Sequence, residues 1–489
     1  MSVKTSLTLR DPQLLRDACY IDGEWLKPNG TDTQVIHNPA TGAAVGSVPV
    51  CGEIETRMAI DAAQAALTGW SSLLASERAL FMRRWFDLIL ANLDDLALIL
   101  TSEQGKTLSE ARGEIRYGAA FIEWFAEEGK RIYGDIIPSN MKDRRLLVIR
   151  QPIGVVGMIT PWNFPMAMIA RKAAAALAAG CTVVSKPSPE TPLSALAMAE
   201  LAHRAGIPGG VFNVVTGDAV SIGRELTGNP VVRKLSFTGS TRTGMLLASQ
   251  CVPTLKKLSL ELGGNAPFIV FDDADVDAAI QGAMLSKFRN SGQTCVCTNR
   301  FLVQAGIYDD FVSRFAHAVS TLKVGNGVDA DVTQGPLINQ RAVQKVEQHI
   351  ADAVAHGAGV VTGGKRHQLG GTFFEPTVMR DARTDMLMMR EETFGPVAPV
   401  FKFVTESEAL QMANATEFGL AAYIYTRDIS RAWRMGEQLE SGMVGINVGL
   451  VSTEVAPFGG VKMSGMGREG SKYGIDDYTE IKYMCFGVG

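Results

Sequence analysis

The stretch that decides the fold runs from Val155 to Lys186: V-V-G-M-I-T-P-W-N-F-P-M-A-M-I-A-R-K-A-A-A-A-L-A-A-G-C-T-V-V-S-K. It reads as strand, turn, helix and strand. Val155–Thr160 is a short apolar run, Pro165–Ala179 is a helical, alanine-rich pattern, and Thr182–Ser185 is a second β-branched run. Strands joined by a helix of that length lie parallel, because the crossover needs a dozen residues. The rhythm continues through a helix at Pro192–Ala205, a strand at Val211–Val215, a helix at Ser221–Leu226 and a strand at Lys234–Thr238. Such alternation predicts an α/β fold with a parallel sheet and crossover helices.

Outward from this core, Leu262-Gly263-Gly264 breaks the series and Pro267–Phe271 starts another. Asp275–Arg289 and Gln344–His356 read as helices, and Phe301–Gln304, Val397–Phe403, Ala422–Tyr425 and Val444–Asn447 as strands. A second α/β domain is expected from about 263 to 440. Upstream, Ser76 is expected to cap a helix carrying Phe81, Trp85, Leu88, Leu96 and Leu100, with Gly105 ending it. Glu114–Arg131 reads as a second amphipathic helix. Two segments fit neither series. Leu146–Ile149 is a short apolar strand behind four charged residues, and in the tail Ile481, Tyr483 and Cys485 alternate with Glu480 and Lys482. The alternation predicts a half-buried strand, and a lone terminal strand needs a partner, either another subunit or an edge of its own chain.

The 489 residues include 46% hydrophobic and 20% charged, enough to bury a large core and to exclude disorder over most of the length. A net charge of −4 gives no basic excess for nucleic acid. The longest apolar run, Ala173–Val184, is too short to span a bilayer, and Met1–Tyr20 lacks a signal-peptide core. Seven scattered cysteines do not form a secreted disulfide framework. A cytoplasmic, multidomain protein is expected, without membrane or nucleic-acid partners.

Several chemistries lack their motif. There is no G-x-x-x-x-G-K-[ST], no G-x-G-x-x-G after the first strand, no H-E-x-x-H and no G-x-S-x-G, and Cys295-x-Cys297 has no second pair, so no metal site is expected. Cys295 instead stands in a polar, glycine-bearing turn just after a helix, where a thiolate nucleophile can be exposed; most cysteines, by contrast, are packed small hydrophobes. Glu261 ends a strand between leucines. It is either a desolvated general base or an exposed edge glutamate. Asn163 lies at the carboxyl end of a strand, as an oxyanion donor or a helix cap. Gly239 and Ser240 open a helix whose N–H groups can hold a phosphate.

Taken in order, these pieces resemble the aldehyde dehydrogenase superfamily. The matching motifs are P-W-N-F-P (161–165), Lys186-Pro187, F-T-G-S-T-x-x-G (237–244), L-E-L-G-G-N (260–265), G-Q-x-C (292–295), Glu391-Glu392-x-Phe394-Gly395-Pro396 and Pro457-Phe458-Gly459-Gly460. Stretches 121–135, 286–297 and 467–478 are similar to its succinate-semialdehyde dehydrogenase branch. The resemblance implies a Rossmann-type NAD(P)-binding domain (1–135 and 151–262), an α/β catalytic domain (263–440), a β oligomerisation arm (136–150 and 470–489) and a return segment (441–469). It implies a homodimer or homotetramer. It also implies that Cys295 attacks the aldehyde carbon, that Asn163 and the Cys295 N–H hold the oxyanion, and that Glu261 activates the water that hydrolyses the thioester. Glu392 is similar to the glutamate on the nicotinamide ribose, with Phe394 beside it. Lys186 resembles the adenosine-ribose contact and Ser240 a pyrophosphate one. Ile159, Trp162, Ser188, Pro189, Gly239 and Leu262 complete the implied cofactor contacts.

A carboxylated aldehyde needs arginines or several hydrogen bonds at its anionic end. The branch it resembles matches Arg171, Arg289 and the hydroxyl of Ser452 to that task, implying oxidation of succinate semialdehyde to succinate. Arg171 could instead be a solvated neighbour of Lys172. Glutarate semialdehyde, one methylene longer, satisfies the same arginines, since a methylene is worth only about 1–3 kcal/mol of discrimination. A CoA-acylating relative would not need Glu261, and a non-catalytic binding protein would not keep Cys295, Glu261 and Asn163. In Lys186-Pro187-Ser188-Pro189-Glu190, proline stands where NAD-preferring relatives often carry glutamate, so NADP is the expected cofactor. NAD becomes the better one if Glu190 swings inward. Cys297, two residues after the nucleophile, suggests a reversible Cys295–Cys297 disulfide, although that spacing strains disulfide geometry.

Overall fold

The strand Val155–Ile159 lies inside an eight-stranded sheet, with Thr182–Lys186 and Val232–Thr238 parallel on its two sides. Phe212–Val214 and Lys257–Glu261 extend the parallel core outward. Antiparallel strands close both edges: the hairpin Cys19–Ile21 and Glu24–Leu26 on one, Gly465–Met466 on the other. Helices cover both faces, so these strands are apolar without alternation, as parallel strands buried on both sides must be. The helix Ala167–Ala179 is buried along its whole length, and its alanines let the helix Leu108–Glu128 pack closely against it. The coordinates come from a computed structural model in which residues 7–488 are described. Residues 1–6 and 489, at the ends of the expected cofactor-binding and arm segments and including the start of Met1–Tyr20, lie outside the described residues.

A second sheet has seven strands in the order Gly359–Thr362, Thr377–Ala382, Val397–Phe403, Thr298–Gln304, Ala266–Val270, Ala421–Tyr425 and Met443–Ile446. All its pairings are parallel except that of the first two. Met443–Ile446 therefore belongs to this sheet although it lies beyond residue 440. The expected strands and helices from Val155 onward occur within a few residues of their predicted bounds.

The N-terminal helix expected from Ser76 to Gly105 is two helices, Ala75–Ala91 and Leu93–Gln104. Asn92 interrupts them at φ −106 and ψ 20, its amide turned back onto the Leu88 carbonyl at 2.8 Å. Ser76 is not the cap; Leu74 occupies that position and its N–H donates to Glu77 Oε2 at 2.7 Å. Gly105 does end the second helix, at φ 99, where a Cβ would lie 2.8 Å from the Pro39 ring. The tail strand Thr479–Gly487 pairs antiparallel along its length with Arg144–Pro152, and Asp135–Ile137 takes the other edge. Its partner is thus its own chain. Its side chains are not half-buried as the alternation predicted: Ile481 is 65% exposed, and Ile136 on the opposite edge strand of the same sheet 84%. Among the described residues no helix is long and apolar enough to cross a membrane.

Candidate active site

The two sheets meet where their strands end, and Cys295 stands at that meeting. After the helix Val276–Phe288 the chain makes a tight turn in which Asn290, Ser291 and Gly292 all take positive φ, at 51°, 55° and 74°. Two consecutive non-glycine residues in that region are strained and need outside support. Glu110 Oε1 accepts from the Asn290 N–H at 2.7 Å, and Ser291 Oγ donates to the Gly335 carbonyl at 2.9 Å. Gly264 lies so close that a Cβ there would sit 2.4 Å from the Cys295 carbonyl oxygen. This contact explains the second glycine of L-E-L-G-G-N.

Asn163 is not a helix cap. The helix after it begins at Ala167, and Glu114 Oε1 accepts the N–H groups of Met166 and Ala167 at 3.0 and 3.2 Å. Asn163 Nδ2 donates one proton to the Gln293 carbonyl at 3.0 Å, leaving the second free. Its own carbonyl accepts from Lys106 Nζ at 2.7 Å and Asn290 Nδ2 at 3.0 Å, and Lys106 forms a buried ion pair with Glu114 at 2.6 Å. Lys106, Glu110, Glu114 and Asn290 are positioning residues that the motif reading missed. Charged residues four apart around the start of a helix look like an ordinary solvated face in sequence.

Glu261 is buried, not an exposed edge residue, and its Oε2 has no hydrogen-bond partner. Burial, reinforced by the nearby Glu469 carboxylate, holds its carboxyl well above the usual range, which suits a group that must take a proton. The Cys295 thiol reaches the cavity wall, but the protein packed around it pushes its pKa up to about 12. Arg171 and Arg289 oppose that shift; Glu392 and Glu261 add to it. The resting group is therefore a thiol. Because the thiolate is the reactive form, alkylation of Cys295 by iodoacetamide in cofactor-free protein should accelerate about tenfold per pH unit from 7 to 9. A plateau below pH 8 would show a thiolate already formed.

On one side of Cys295 opens a cavity of about 270 Å³. Trp162, Gly239, Ser240, Leu262, Glu392 and Phe394 line it, six of the residues expected to hold a cofactor. Phe394 sits at φ 54 with its ring edge-on to Trp162, centroids 5.6 Å apart. Glu392 Oε1 accepts from the Gly264 N–H at 3.1 Å, and burial pushes its carboxyl up to about 7. Ser240 caps the helix Thr241–Cys251 through the Thr243 N–H. Lys345 lines the same cavity and no motif reading pointed to it. Ile159, Lys186, Ser188 and Pro189 lie along the same strand edge but outside that cavity. Lys186 is buried, and desolvation draws its pKa down to about 8. Ser188 Oγ donates to Glu190 at 2.5 Å, and the Glu190 carboxylate is near enough to Lys186 to oppose that desolvation. The Thr160 and Thr238 hydroxyls, at the ends of neighbouring strands, are buried without partners. Unsatisfied hydroxyls at the carboxyl edge of a parallel sheet, beside apolar slabs and a carboxylate, fit a dinucleotide.

A second cavity of about 260 Å³ lies beyond Cys295, lined by Lys106, Tyr117, Phe164, Arg289 and Ser452 among others. Arg289 has no polar side-chain partner among the described residues and lies over the Phe164 ring at 4.8 Å. Arg171 is not solvated: it is 1% exposed, stacked over Phe458 at 4.3 Å and ion-paired through Nε with Glu469. Lys172 shares that carboxylate. Nη1 and Nη2 of Arg171 are buried without a well-aligned hydrogen bond, and the buried hydroxyl of Tyr117 lies against the guanidinium. Glu469 was legible only as one letter of G-R-E-G-S, with no pattern to reveal its partners.

Cys297 is a free, buried thiol with Lys287 Nζ 3.4 Å from its sulfur, so its contacts in this structure are those of a core residue and it is not joined to Cys295. Among the described residues no three His, Cys, Asp or Glu side chains gather to hold a metal ion.

Comparison with known proteins gives this geometry its place. Residues 25–484 match the model of the aldehyde dehydrogenase family. A glutarate-semialdehyde dehydrogenase of Pseudomonas aeruginosa is 62% identical over 98% of this chain and 100% of its own. A succinate-semialdehyde dehydrogenase [NADP(+)] of Escherichia coli is 61% identical over 99% and 100%. The crystal structure of succinate-semialdehyde dehydrogenase from Burkholderia pseudomallei, 62% identical, superposes with a TM-score of 0.98 over 99% of this chain and 100% of that one. With a cysteine, a buried glutamate and an asparagine amide gathered at the mouth of a strand-edge cavity, and with likeness along nearly its whole length, the chain belongs to the aldehyde dehydrogenase family.

Proposed function

We propose that the protein oxidises succinate semialdehyde to succinate, with glutarate semialdehyde as the alternative substrate, using NADP+ and, less well, NAD+. The observation that carries the reading is the buried Arg171 guanidinium, whose Nη1 and Nη2 have no well-aligned partner, with the Tyr117 hydroxyl against it. Buried donors of this kind are costly unless an acceptor arrives, and a carboxylate bonds a guanidinium in two places. Arg289 and Ser452 line the cavity that Tyr117 also lines and supply further donors. With the carboxylate held there, the aldehyde carbon reaches Cys295. Glu261 takes the thiol proton as sulfur attacks, and the free proton of the Asn163 amide, with the Cys295 N–H, holds the new oxyanion. A nicotinamide dinucleotide would accept the hydride that the thiohemiacetal loses as it becomes a thioester. Glu392, Phe394 and Trp162 would hold its nicotinamide end, and Lys186, Ser188 and Ser240 its phosphates and adenosine. Glu261 then removes a proton from the water that hydrolyses the thioester.

The relatives' names support both the four- and five-carbon substrates. The exposed Ile136, Ile481 and Tyr483 of the three-stranded sheet support its use as an arm in a homodimer or homotetramer. Glu190 opposes the phosphate of NADP+ from its place beside Ser188. Glu190→Gln should therefore raise the ratio of kcat/KM for NADP+ to that for NAD+ about tenfold, one charge contact's worth. An unchanged ratio would remove Glu190 from cofactor choice. The reaction itself is tested by acid quenching with succinate semialdehyde and NADP+ and mapping the peptides. A succinyl group should appear on Cys295 only when the cofactor is present; its absence, or its appearance on Cys297, would overturn the reading.

A further inference from the structure

The helix Gln340–Ala355 presents one face to the loop that carries Glu392 and Phe394, and His349 is the centre of that face. Lys345, His349 and Asp352 recur at helical spacing. Lys345 reaches the cavity beside Glu392. Asp352 Oδ2 accepts the Leu387 N–H at 2.8 Å, which fixes the chain entering the loop. Val346 packs on Gly395, where a Cβ would meet its methyl at 2.4 Å. Between these anchors the buried His349 ring reaches both neighbours of Glu392. Its Nδ1 lies 3.1 Å from Thr393 Oγ1 and its Nε2 3.2 Å from Glu391 Oε2.

The loop needs that hold. Phe394 sits in the left-handed region at φ 54, a conformation a bulky residue keeps only when its surroundings impose it. The Glu391 side chain is half exposed and would otherwise be solvated, while Thr393 is buried with no other side-chain bond. Neutral imidazole satisfies both: Nε2–H donates to Glu391 and Nδ1 accepts the Thr393 hydroxyl proton. Burial, with Lys345 adding to it and Glu391 and Asp352 opposing, draws the ring below its usual range and so keeps it neutral.

We propose that His349 is a positioning residue for the cofactor: by bonding Glu391 and Thr393 it holds Glu392 and Phe394 in the geometry that grips the nicotinamide half. The proposal rests on the reading of the cavity as a dinucleotide site. It is tested with three variants. His349→Leu loses both bonds, His349→Gln can keep the one to Glu391, and His349→Asn the one to Thr393. Dissociation constants for NADP+ and NAD+ are measured by quenching of tryptophan fluorescence, and amide exchange is followed in the cofactor-free protein. In His349→Leu the NADP+ Kd should rise about tenfold while the aldehyde KM stays within about twofold. Exchange should quicken at 391–395 and not across the sheets. His349→Gln or His349→Asn should recover part of the loss, and Thr393→Val should add little to His349→Leu because the two remove the same bond. If all variants bind both cofactors as the wild type does, the role of His349 is overturned. If Kd, aldehyde KM and exchange throughout the protein change together, His349 is only a packing residue and the proposal is equally overturned. A wild-type protein that binds neither dinucleotide would instead overturn the reading of the cavity, and this proposal with it.

Discussion

Arg171→Met should lower kcat/KM for succinate semialdehyde on the order of 10³-fold, because it removes a desolvated guanidinium from a charge-assisted pair, worth about 2–5 kcal/mol. The loss should fall on carboxylated aldehydes alone. Butanal, which has no anion to place, should be turned over within about threefold of the wild-type rate. The comparison matters because Arg171 also shields Glu469. With the guanidinium gone, Lys172 still neutralises that carboxylate, so the site should remain folded and the specific loss should be readable. Equal losses on both aldehydes would make Arg171 a structural residue. Arg289→Met should cost only about fivefold, since Arg289 is partly exposed and a solvated pair is worth about 1 kcal/mol.

Glu261→Gln should lower steady-state turnover by about 10²–10⁴-fold, the usual contribution of a positioned general base. It replaces the carboxyl group with a neutral group of the same shape, and burial already disfavours the charge on Glu261, so the fold should be untouched. The pre-steady-state behaviour separates its two tasks. If Glu261 serves only hydrolysis, one equivalent of NADPH should form rapidly and turnover should then stop at the thioester. If it also deprotonates Cys295, the burst itself should slow, most strongly at low pH, where the thiol with its pKa of about 12 is furthest from ionising. Wild-type turnover in the variant would remove Glu261 from the reaction.

Much of this was legible in the sequence for a physical reason. Parallel strands buried on both faces must be continuously apolar, and crossover helices must follow them, so Val155–Lys186 could be read with little ambiguity. The chemistry-bearing residues stand at strand ends and turns, where local pattern changes and a motif shows. Cys295, Asn163, Glu392 and Ser240 were found that way, and the structure brings them to one cavity. What was not legible depends on contacts between segments far apart in the chain. Glu469 clamps Arg171 and Lys172 from almost three hundred residues away. Lys106 reaches the carbonyl of Asn163 through a buried pair with Glu114. Nothing in the sequence around Lys106 or Glu469 distinguishes them from surface charges. Local capping competes in the same way: Ser76 looked like a cap, but Glu77 reaching back to Leu74 starts the helix two residues earlier.

The buried Arg171 guanidinium, with Tyr117 against it, should select an aldehyde carrying a carboxylate. That selection is read from the ratio of kcat/KM for succinate semialdehyde to that for butanal in the wild-type protein with saturating NADP+. The two share a four-carbon chain and differ in the terminal carboxylate. The ratio should be at least about 10², from one satisfied charged pair. A ratio near one, or a preference for butanal, would mean that the guanidinium selects nothing.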